Sequence, residues 1–590
     1  MFLKFYIDII LRLKKILSPR QFLILSSVLV GLTAGLFSVL LKTVVHYIHR
    51  LLTYDYGFKM QEYLYLIFPA IGIVLTVAYI KIFLKSRFGR GAAHILNSIA
   101  RKSGLVERVT MYSHMVTSAL TVGFGGSAGL EAPIVVTGSA IGSNYSRVNQ
   151  MDFRERILLI GCGAAAGIAA VFNAPIAGVM FALEVLIPEF TISSFIPLII
   201  SAATGALCSK IILQERILFT FSLRQPFDYT NVPYYVILGL LAGVVSLYYA
   251  RMFYKIESLF RPLENRNYLK AIIGGFALAV LIFLFPPLLG EGYSSILLLA
   301  EGHTAQLFER SVFLPFRQNE WFVAAFIGAI AFIKVMATGL TLGSGGNGGN
   351  FAPSLFVGAF LGSFFSRVIN LTGFTHLPES NFTIVCMAGI MSGVMYAPLT
   401  GIFLIAEATG GYELMIPLMI VSALAFAIVK HFEPFSMDTR ELARFGLLHN
   451  RDRNILTLMH TSELIETDFA KVSAKASIME LLHIIAHSKR NLFPVVDSDN
   501  NLLGIISLEN IRELLFELEN YKEIPAVDLM SQSEATVELN EEMSSVMKKF
   551  DETGAWNLPV VNSRKYVGFV SKSSIFTKYR DSIIKSTVER

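Results

Sequence analysis

The sequence predicts an all-α polytopic membrane protein of two inverted repeats with broken helices, followed by a smaller C-terminal α/β domain. Two observations lead to this fold class. The first is composition, because the 590 residues are 54% hydrophobic and only 16% charged, whereas an average soluble domain carries about 25% charged residues. The second is a set of glycine- and proline-rich motifs that occurs twice, about 220 residues apart.

The apolar segments end before the last quarter of the chain, which has the composition of a soluble domain. Each clear spanning candidate approaches the roughly 20 apolar residues that a bilayer requires. The candidates are Phe22–Leu41, Tyr63–Phe83, Phe195–Leu213, Tyr234–Tyr249, Ala271–Leu289 and Trp321–Leu342. We therefore predict a membrane domain at 21–445 (repeat halves at about 21–215 and 232–432), a linker at 446–459, and two small modules at 460–519 and 520–585.

Residues 1–20 predict an interfacial amphipathic helix, because the charges recur along one helical stripe and do not precede an apolar signal core. Its basic face favours a cytoplasmic N-terminus. We expect a multi-pass protein of the cell membrane with both termini in the cytoplasm. We attribute the net charge of +6 to positive cytoplasmic loops and expect no nucleic-acid partner. Cys162, Cys208 and Cys386 lie in apolar segments without metal-ligand spacing, so we expect neither a disulfide framework nor a metal site.

Four segments between the spans are too rich in glycine, too interrupted by proline or too short to cross the bilayer as plain helices. They are 123–142, 160–185, 342–362 and 385–409. Irregular backbone at membrane depth is tolerated only where it is buried in protein or lines a wet cavity. These segments therefore indicate a pathway.

The interrupted segments are paired between the two halves. Ala-Pro-Ile-Ala-Gly at 174–178 matches Ala-Pro-Leu-Thr-Gly at 397–401, and each is followed six residues after its glycine by a glutamate, Glu184 or Glu407. Upstream of each copy, Gly-Leu-Glu-Ala-Pro at 129–133 matches Gly-Asn-Phe-Ala-Pro at 349–353. Corresponding interruptions in two halves indicate a transport site at the repeat interface.

The glycine-rich motifs at 125–133 and 345–353 predict abrupt helix starts. Glycine permits a tight turn, and proline is tolerated in a first helical turn. Two helix N-termini that converge within the membrane would bind an anion through backbone N–H groups and helix dipoles, without a full cation. A weak site of this kind suits permeation, because the ion must also leave.

Glu131 lies inside the first of these motifs. A carboxylate in an apolar segment is costly and is by default a functional hypothesis. We predict that Glu131 can occupy the anion site itself, and that its protonation releases it and opens the pathway. The alternative is a glutamate that only supports a local helix start.

These motifs resemble those of the CLC chloride channels and transporters, which carry Gly-Arg-Glu-Gly-Pro, with the gating glutamate, and Gly-x-Phe-x-Pro. The matching segments here are 129–133 and 349–353. The resemblance implies a CLC-like fold, a homodimer with one pore per subunit, and Glu131 as the external gate. It also implies anion binding at residues of both helix starts, namely Gly129, Leu130, Asn350, Phe351 and Ala352.

The family's first anion-binding motif, Gly-Ser-Gly-Ile-Pro, is altered. Counting back from the gating glutamate places Gly89, Arg90 and Gly91 at its first three positions. Arg90 would replace the serine whose hydroxyl contacts the anion. It could strengthen anion attraction or reach an aqueous vestibule. Alternatively, the ungapped count is displaced and Arg90 is a charge of a cytoplasmic loop.

Two further family positions differ. The tyrosine that lines the inner pore mouth in many members is replaced by Asp438 when the segment is aligned on Leu442, or by Phe435 when it is aligned on the proline. We favour Asp438. The internal proton-transfer glutamate of proton-coupled members falls on Val185, one residue after Glu184. Because valine cannot relay a proton, we expect a passive chloride channel gated by Glu131, with a proton-coupled antiporter as the alternative.

The soluble tail contains its own repeat, with a period of about 65 residues. Phe-Pro-Val-Val-Asp at 493–497 matches 558–562, and 503–507 matches 567–571. This pattern resembles a tandem of CBS (cystathionine β-synthase) domains, which implies a possible adenine-nucleotide site. Its candidate contacts follow the Gly-x-x-Ser strands, at Ser507, Asn510, Ser571 and Ser574. The usual aspartate is missing at the fourth position, so a dimerisation module without a ligand is the alternative.

Other functional classes fit less well. The glycine run at 343–349 lacks the Gly-Lys-Ser/Thr ending of a phosphate loop, and no hydrolase or zinc pattern indicates an enzyme. A CBS-bearing cation transporter, for example for magnesium, would need clustered carboxylates in its spans, and the membrane half has few. We therefore expect a monovalent anion as substrate, the lipid bilayer and a second copy as partners, and no required cofactor.

Overall fold

A computed structural model describes residues 16–53, 61–85, 88–89, 91–187, 192–213, 225–444, 459, 461–509, 511–512 and 525–578. The predicted residues 1–15 of the interfacial helix, Arg90, most of the linker and Asn510 lie outside these ranges. The chain divides into two compact units, Met1–Phe445 and Gly446–Arg590.

The first unit is helical. Its helices are α1 Pro19–Thr53, α2 Gln61–Phe83, α3 Gly91–Arg101, α4 Thr110–Gly123, α5 Glu131–Val148, α6 Phe153–Phe172, α7 Pro175–Phe181, α8 Ile192–Leu213, α9 Val232–Leu259, α10 Asn267–Leu284, α11 Tyr293–Ala300, α12 Glu320–Gly343, α13 Phe351–Thr372, α14 Glu379–Met395, α15 Pro398–Ala408, α16 Met415–Phe432 and α17 Arg440–Arg444. A π-helical turn, Ala182–Leu186, follows α7. Short 3₁₀ turns are Tyr229–Asn231, Arg261–Leu263, Pro286–Leu288, Thr304–Phe308 and Leu314–Phe316.

Within the described residues, eight helices are long and apolar enough to cross a membrane. Every predicted span coincides with a helix, although Ala271–Leu289 was predicted too long: α10 ends at Leu284, before Pro286 and Pro287. Two of the segments predicted not to cross as plain helices each overlap a long helix. The 160–185 segment includes the end of the 20-residue helix α6, and the 342–362 segment includes the start of the 22-residue helix α13. In both cases the irregular backbone flanks a long helix and does not interrupt it.

The two halves use the same sequence of elements. In each half a long helix ends at a residue in the left-handed conformation, Asn173 after α6 and Tyr396 after α14. A short helix then begins at a proline, α7 in the first half and α15 in the second. Proline suits a first helical position because its missing N–H would have no intrahelical acceptor.

Small residues allow the helices that carry these elements to pack closely. Gly138 on α5 faces Gly163 on α6, and a Cβ at either position would collide with the backbone of the other. Gly362 on α13 likewise lies against the Phe382 carbonyl of α14. Close backbone approach through glycine is the usual packing mode of membrane helices. It holds the helix starts described below in a fixed position.

The second unit contains two three-stranded sheets of the same topology. The first module comprises β1 Val472–Ser473, α18 Ile478–His487, β2 Leu492–Val496 and β3 Leu502–Ser507. The second comprises β4 Val537–Glu538, α19 Met543–Thr553, β5 Asn557–Asn562 and β6 Lys565–Ser571. In each module the first strand pairs parallel with the second, and the second pairs antiparallel with the third. The predicted repeat therefore corresponds to two similar α/β modules.

Candidate functional site

Two glycine turns, one from each half, meet in the interior of the membrane unit. Gly125 and Gly345 have φ angles of +93° and +117°, which side chains rarely tolerate. Each turn is closed by a threonine of the other half. The Ser127 N–H donates to Thr341 Oγ1 at 3.1 Å, and the Asn347 N–H donates to Thr121 Oγ1 at 3.0 Å. The two turns are therefore tied together reciprocally.

Directly after the turns, the two chains exchange backbone hydrogen bonds. The Gly129 N–H donates to the Gly349 carbonyl at 3.0 Å, and the Gly349 N–H donates to the Gly129 carbonyl at 2.9 Å. These two bonds form an antiparallel bridge. Such a bridge is expected where two inverted repeats meet at a pseudo-two-fold axis. A Cβ on Gly349 would lie 2.6 Å from the Cβ of Ala132, so the bridge needs glycine there.

Helices α5 and α13 begin immediately beyond this bridge. Their N-cap residues, Leu130 and Asn350, provide no side-chain cap to the first-turn N–H groups. The first four N–H groups of a helix lack intrahelical acceptors, so each helix start presents donors and the positive end of a dipole. The Asn350 side chain faces another way, since its Oδ1 accepts a hydrogen bond from the Tyr249 hydroxyl at 3.1 Å.

Glu131 lies between these two helix starts and is only 1% exposed. Its Oε1 accepts a hydrogen bond from the Tyr293 hydroxyl. Its Oε2 has no hydrogen-bond partner among the described residues. That oxygen lies against Gly129 and near the Ala352 N–H of α13. The carboxylate of the first half therefore faces the helix start of the second half, where an anion would be bound.

Aromatic rings pack around the ring of Tyr293, whose hydroxyl contacts this carboxylate. Phe351 stacks on Phe172 with centroids 5.4 Å apart and meets Phe181 edge-on at 6.2 Å. Phe172 also meets the Tyr293 ring edge-on at 6.3 Å. Glu131 is itself almost fully buried, with the Tyr293 hydroxyl and backbone N–H groups as its polar neighbours. Low local polarity strengthens the electrostatic interactions of a carboxylate.

Two charged residues that were not singled out from the sequence belong to the surroundings of Glu131. Glu291 accepts the Leu130 N–H on its Oε1 at 3.2 Å. Lys334 on α12 is fully buried, and its Nζ donates to the carbonyls of Leu288 at 3.3 Å and Gly290 at 2.9 Å. A lone lysine in the span Trp321–Leu342 was the available signal for Lys334. Glu291 lies in the short connection between α10 and α11. A glutamate in a connection is common and does not by itself indicate a functional residue.

The paired glutamates that follow the proline motifs have a structural role. Glu184 accepts the N–H groups of Leu399 and Thr400 at 2.9 and 2.8 Å, and also the Thr400 hydroxyl. Glu407 accepts the N–H groups of Ile176 and Ala177 at 3.0 and 2.9 Å. Each carboxylate thus caps the short helix of the opposite half.

Val185 follows Glu184 in the π-helical turn and is partly exposed. The side chain at the family's proton-transfer position is therefore apolar, and the neighbouring carboxylate of Glu184 is held by three hydrogen bonds. Neither residue offers a free carboxylate at this position.

The predicted inner mouth brings together residues that are far apart in the chain. Asp438 Oδ1 lies 3.6 Å from the position that a Cβ on Gly91 would occupy, at the start of α3. Phe435, the other candidate, is 40% exposed. Asp438 lies beyond the last span, and burial raises its pKa to about 6. Gly89 packs against the His94 ring so closely that no Cβ would fit.

The predicted ligand contacts of the tail are occupied by partners within the chain. The Ser571 hydroxyl donates to Glu466 Oε1 at 2.6 Å, and Glu466 pairs with Arg490 at 2.7 Å. Ser574 donates its N–H to Ser571 Oγ at 2.9 Å and its hydroxyl to the Ser571 carbonyl. Ser507 Oγ accepts the Glu509 N–H at 3.2 Å.

Comparison with protein families matches residues 71–430 to a family described as voltage gated chloride channel, and residues 462–517 and 526–581 to the CBS domain. The chain is 30% identical to the H(+)/Cl(-) exchange transporter ClcA of Vibrio cholerae over 425 residues, which is 68% of this chain and 85% of that protein. It is 27% identical to chloride channel protein CLC-f of Arabidopsis thaliana over 457 residues, covering 68% of this chain but only 56% of the plant protein.

Among solved structures, a slow cyanobacterial Cl-/H+ antiporter superposes with a TM-score of 0.62 at 22% identity, covering 73% of this chain and 98% of that chain. At this identity the likeness concerns the fold. It agrees with the two inverted halves described above.

Proposed function

The chain belongs to the voltage-gated chloride channel (CLC) family and carries two CBS domains, and from this premise we propose that it is a proton-coupled exchanger of chloride or a related monovalent anion. This was the alternative to the passive channel that Val185 favours. The finding that supports the exchanger is the 30% identity to a relative named as an H(+)/Cl(-) exchange transporter. The missing glutamate at Val185 then means that protons use another route.

One observation carries the proposal. The Glu131 carboxylate is buried and faces the uncapped start of α13, next to the Ala352 N–H. A charged Glu131 competes with a permeating anion for the same N–H donors, whereas a neutral Glu131 leaves them free. Anion entry is therefore coupled to proton uptake where the Glu131 carboxylate faces the N–H donors at the start of α13. The same carboxylate also explains gating, because its departure opens the pathway.

The test uses the purified protein in liposomes with a chloride gradient and a recording of internal pH. We expect the gradient to drive protons uphill in the wild type. Glu131→Gln mimics the neutral gate, so anion flux should persist while uphill proton movement disappears. Anion flux without any uphill proton movement in the wild type would show a passive channel and overturn the exchanger.

The same preparation tests the substrate. Chloride, nitrate, bromide and fluoride gradients are compared with a gradient of a divalent cation. We expect transport of one or more monovalent anions and none of the cation, because the helix starts offer N–H donors and not the oxygen ligands that Mg²⁺ requires. Transport of the divalent cation would support the cation transporter instead.

Assembly and location stay proposals at the level of the family. A homodimer with one pathway per subunit, residence in the cell membrane and cytoplasmic termini are what the CLC resemblance implies. Cross-linking in native membranes checks the dimer, and protease accessibility of an added terminal tag checks the orientation. Adenine-nucleotide binding by the tail also stays a prediction, which titration of the purified full chain with ATP checks.

A further inference from the structure

A buried gate must exchange its proton with water through other groups. Glu131 is only 1% exposed, so its carboxylate does not exchange protons directly with solvent in this conformation. Its hydrogen-bonding side-chain partner is the Tyr293 hydroxyl. A hydroxyl both donates and accepts, and can therefore pass a proton between two carboxylates.

Glu291 is the carboxylate adjacent to this pair. It accepts the N–H of Leu130, the residue before Glu131, at 3.2 Å, and it lies two residues before Tyr293. Both glutamates interact electrostatically with Tyr293. In contrast to Glu131, Glu291 is partly exposed. It is therefore a partly exposed carboxylate close to the pair formed by Tyr293 and Glu131.

Two lysines keep Glu291 suited to accept a proton and release it again. Lys334 donates to the carbonyl of Gly290, next to Glu291, at 2.9 Å, and its Nζ also lies 4.7 Å from the Phe356 ring centre. Lys42 on α1 also interacts electrostatically with Glu291. Burial, and after it the nearby Glu131, favours a neutral Glu291, whereas these cations favour a charged one. Interacting carboxylates share protons as a pair.

We propose that Glu291 is the carboxylate through which protons enter and leave Glu131 from the side of the membrane that Glu131 gates, with the Tyr293 hydroxyl as the bridge. A hydronium ion protonates a Glu291 oxygen and becomes water. Tyr293 then transfers its hydroxyl proton to Glu131 and takes the proton of Glu291, so the tyrosine is unchanged. Neutral Glu131 is released from the α13 start. The reverse sequence returns the proton.

This inference rests on the proposed exchange activity, so its test measures coupling and proton kinetics separately. Purified full-length Glu291→Gln and Tyr293→Phe variants are reconstituted in liposomes, with proton and chloride fluxes recorded together. Tyr293→Phe keeps the ring that packs on Phe172. We expect both variants to slow proton and chloride flux together by about tenfold or more, at an unchanged ratio of the two ions. Glu131→Gln differs, because it abolishes proton movement and spares chloride flux.

The matched control is Glu301→Gln, a carboxylate at the end of α11 that is 42% exposed and pairs with His303. It should keep wild-type fluxes. Glu291→Asp should recover part of the flux that Glu291→Gln loses, because it restores a carboxylate. A purely structural role of the longer side chain would not give this recovery. Size-exclusion profiles verify that each variant is folded. Wild-type proton flux in Glu291→Gln or Tyr293→Phe overturns the relay. Absence of uphill proton movement in the wild type overturns the proposed function itself.

Discussion

At the scale of the residue, Glu131 differs from a surface glutamate because of the groups that surround its carboxylate. One oxygen accepts the Tyr293 hydroxyl, and the other lies near the Ala352 N–H at the start of a helix from the opposite half. A surface glutamate would be solvated and independent of the anion. In the proposed exchange the carboxylate and an anion would need the same donors, so they would exclude each other.

Asp438 provides the residue-scale prediction at the inner mouth. Burial raises its pKa to about 6, so it is neutral below that pH and negative above it. A negative charge beside the predicted anion path at Gly91 repels the anion. We therefore expect anion flux to fall as the pH on that side rises from about 5 to about 7. Asp438→Asn should remove this dependence and hold flux at the low-pH level. Flux measurement from liposomes at stepped internal and external pH checks it.

The control for Asp438 is Glu413→Gln, which changes an exposed carboxylate in the connection before α16. This variant should keep the wild-type pH profile. If Asp438→Asn retains the wild-type profile as well, Asp438 does not face the path.

At the scale of the element, the two halves stabilise each other through exchanged helix caps. Glu184 caps α15 and Glu407 caps α7, so each short helix depends on a carboxylate of the opposite half. The threonines Thr121 and Thr341 exchange hydrogen bonds in the same manner. These contacts make the repeat interface a single rigid element, which holds the helix starts in register.

The caps predict the effect of removing one charge. Glu184→Gln and Glu407→Gln each replace a charge-assisted double cap by a neutral amide, which should cost about 1–2 kcal/mol of stability. We expect a lower unfolding temperature in detergent for both variants, measured by intrinsic fluorescence. The ratio of anions to protons should stay unchanged, because Glu184 acts as a cap. A changed ratio in Glu184→Gln would instead make this carboxylate part of the proton route.

The glycine bridge gives a second prediction at this scale. Gly349→Ala places a Cβ 2.6 Å from the Cβ of Ala132, which forces α5 and α13 apart. We expect this variant to lose transport and to unfold at a lower temperature. Gly411→Ala is the matched control, since its Cβ would meet nothing within 4 Å. Equal activity of the two variants would show that the helix starts tolerate separation.

At the scale of the whole molecule, the chain consists of two compact units that divide after Phe445. The membrane unit contains its own core and both glycine turns, and the tail contains separate hydrophobic clusters in its modules. We predict that the tail modulates transport and that the membrane unit forms the pathway.

This division predicts the result of truncation. A protein of residues 1–445 should assemble as the full chain does and retain anion flux in liposomes, because every described contact of Glu131 lies within the first unit. Size-exclusion chromatography and flux measurements compare it with the full chain. A truncated protein that is monodisperse but inactive would show that the tail is required for the pathway.

The sequence determined the membrane class, the repeated halves, the two helix starts and the position of Glu131 within one of them. These features are local: positive φ requires glycine, a first helical turn accepts proline, and a bilayer requires long apolar segments. A repeat with a period of about 65 residues predicted the two modules of the tail. The lengths of α6 and α13 were not predicted, because glycines that permit close packing inside a helix resemble glycines that interrupt one.

Only the tertiary structure decided which groups surround the gate. Glu291 and Leu130 are 161 residues apart in the chain, and Ser127 and Thr341 are 214 apart. No local pattern marks such pairs, because they arise when two inverted halves pack against each other. The fold likewise placed Asp438 beside Gly91 and turned Glu184 into a cap. Sequence motifs thus determined where the helices begin, and packing of the two halves decided which charges face those helix starts.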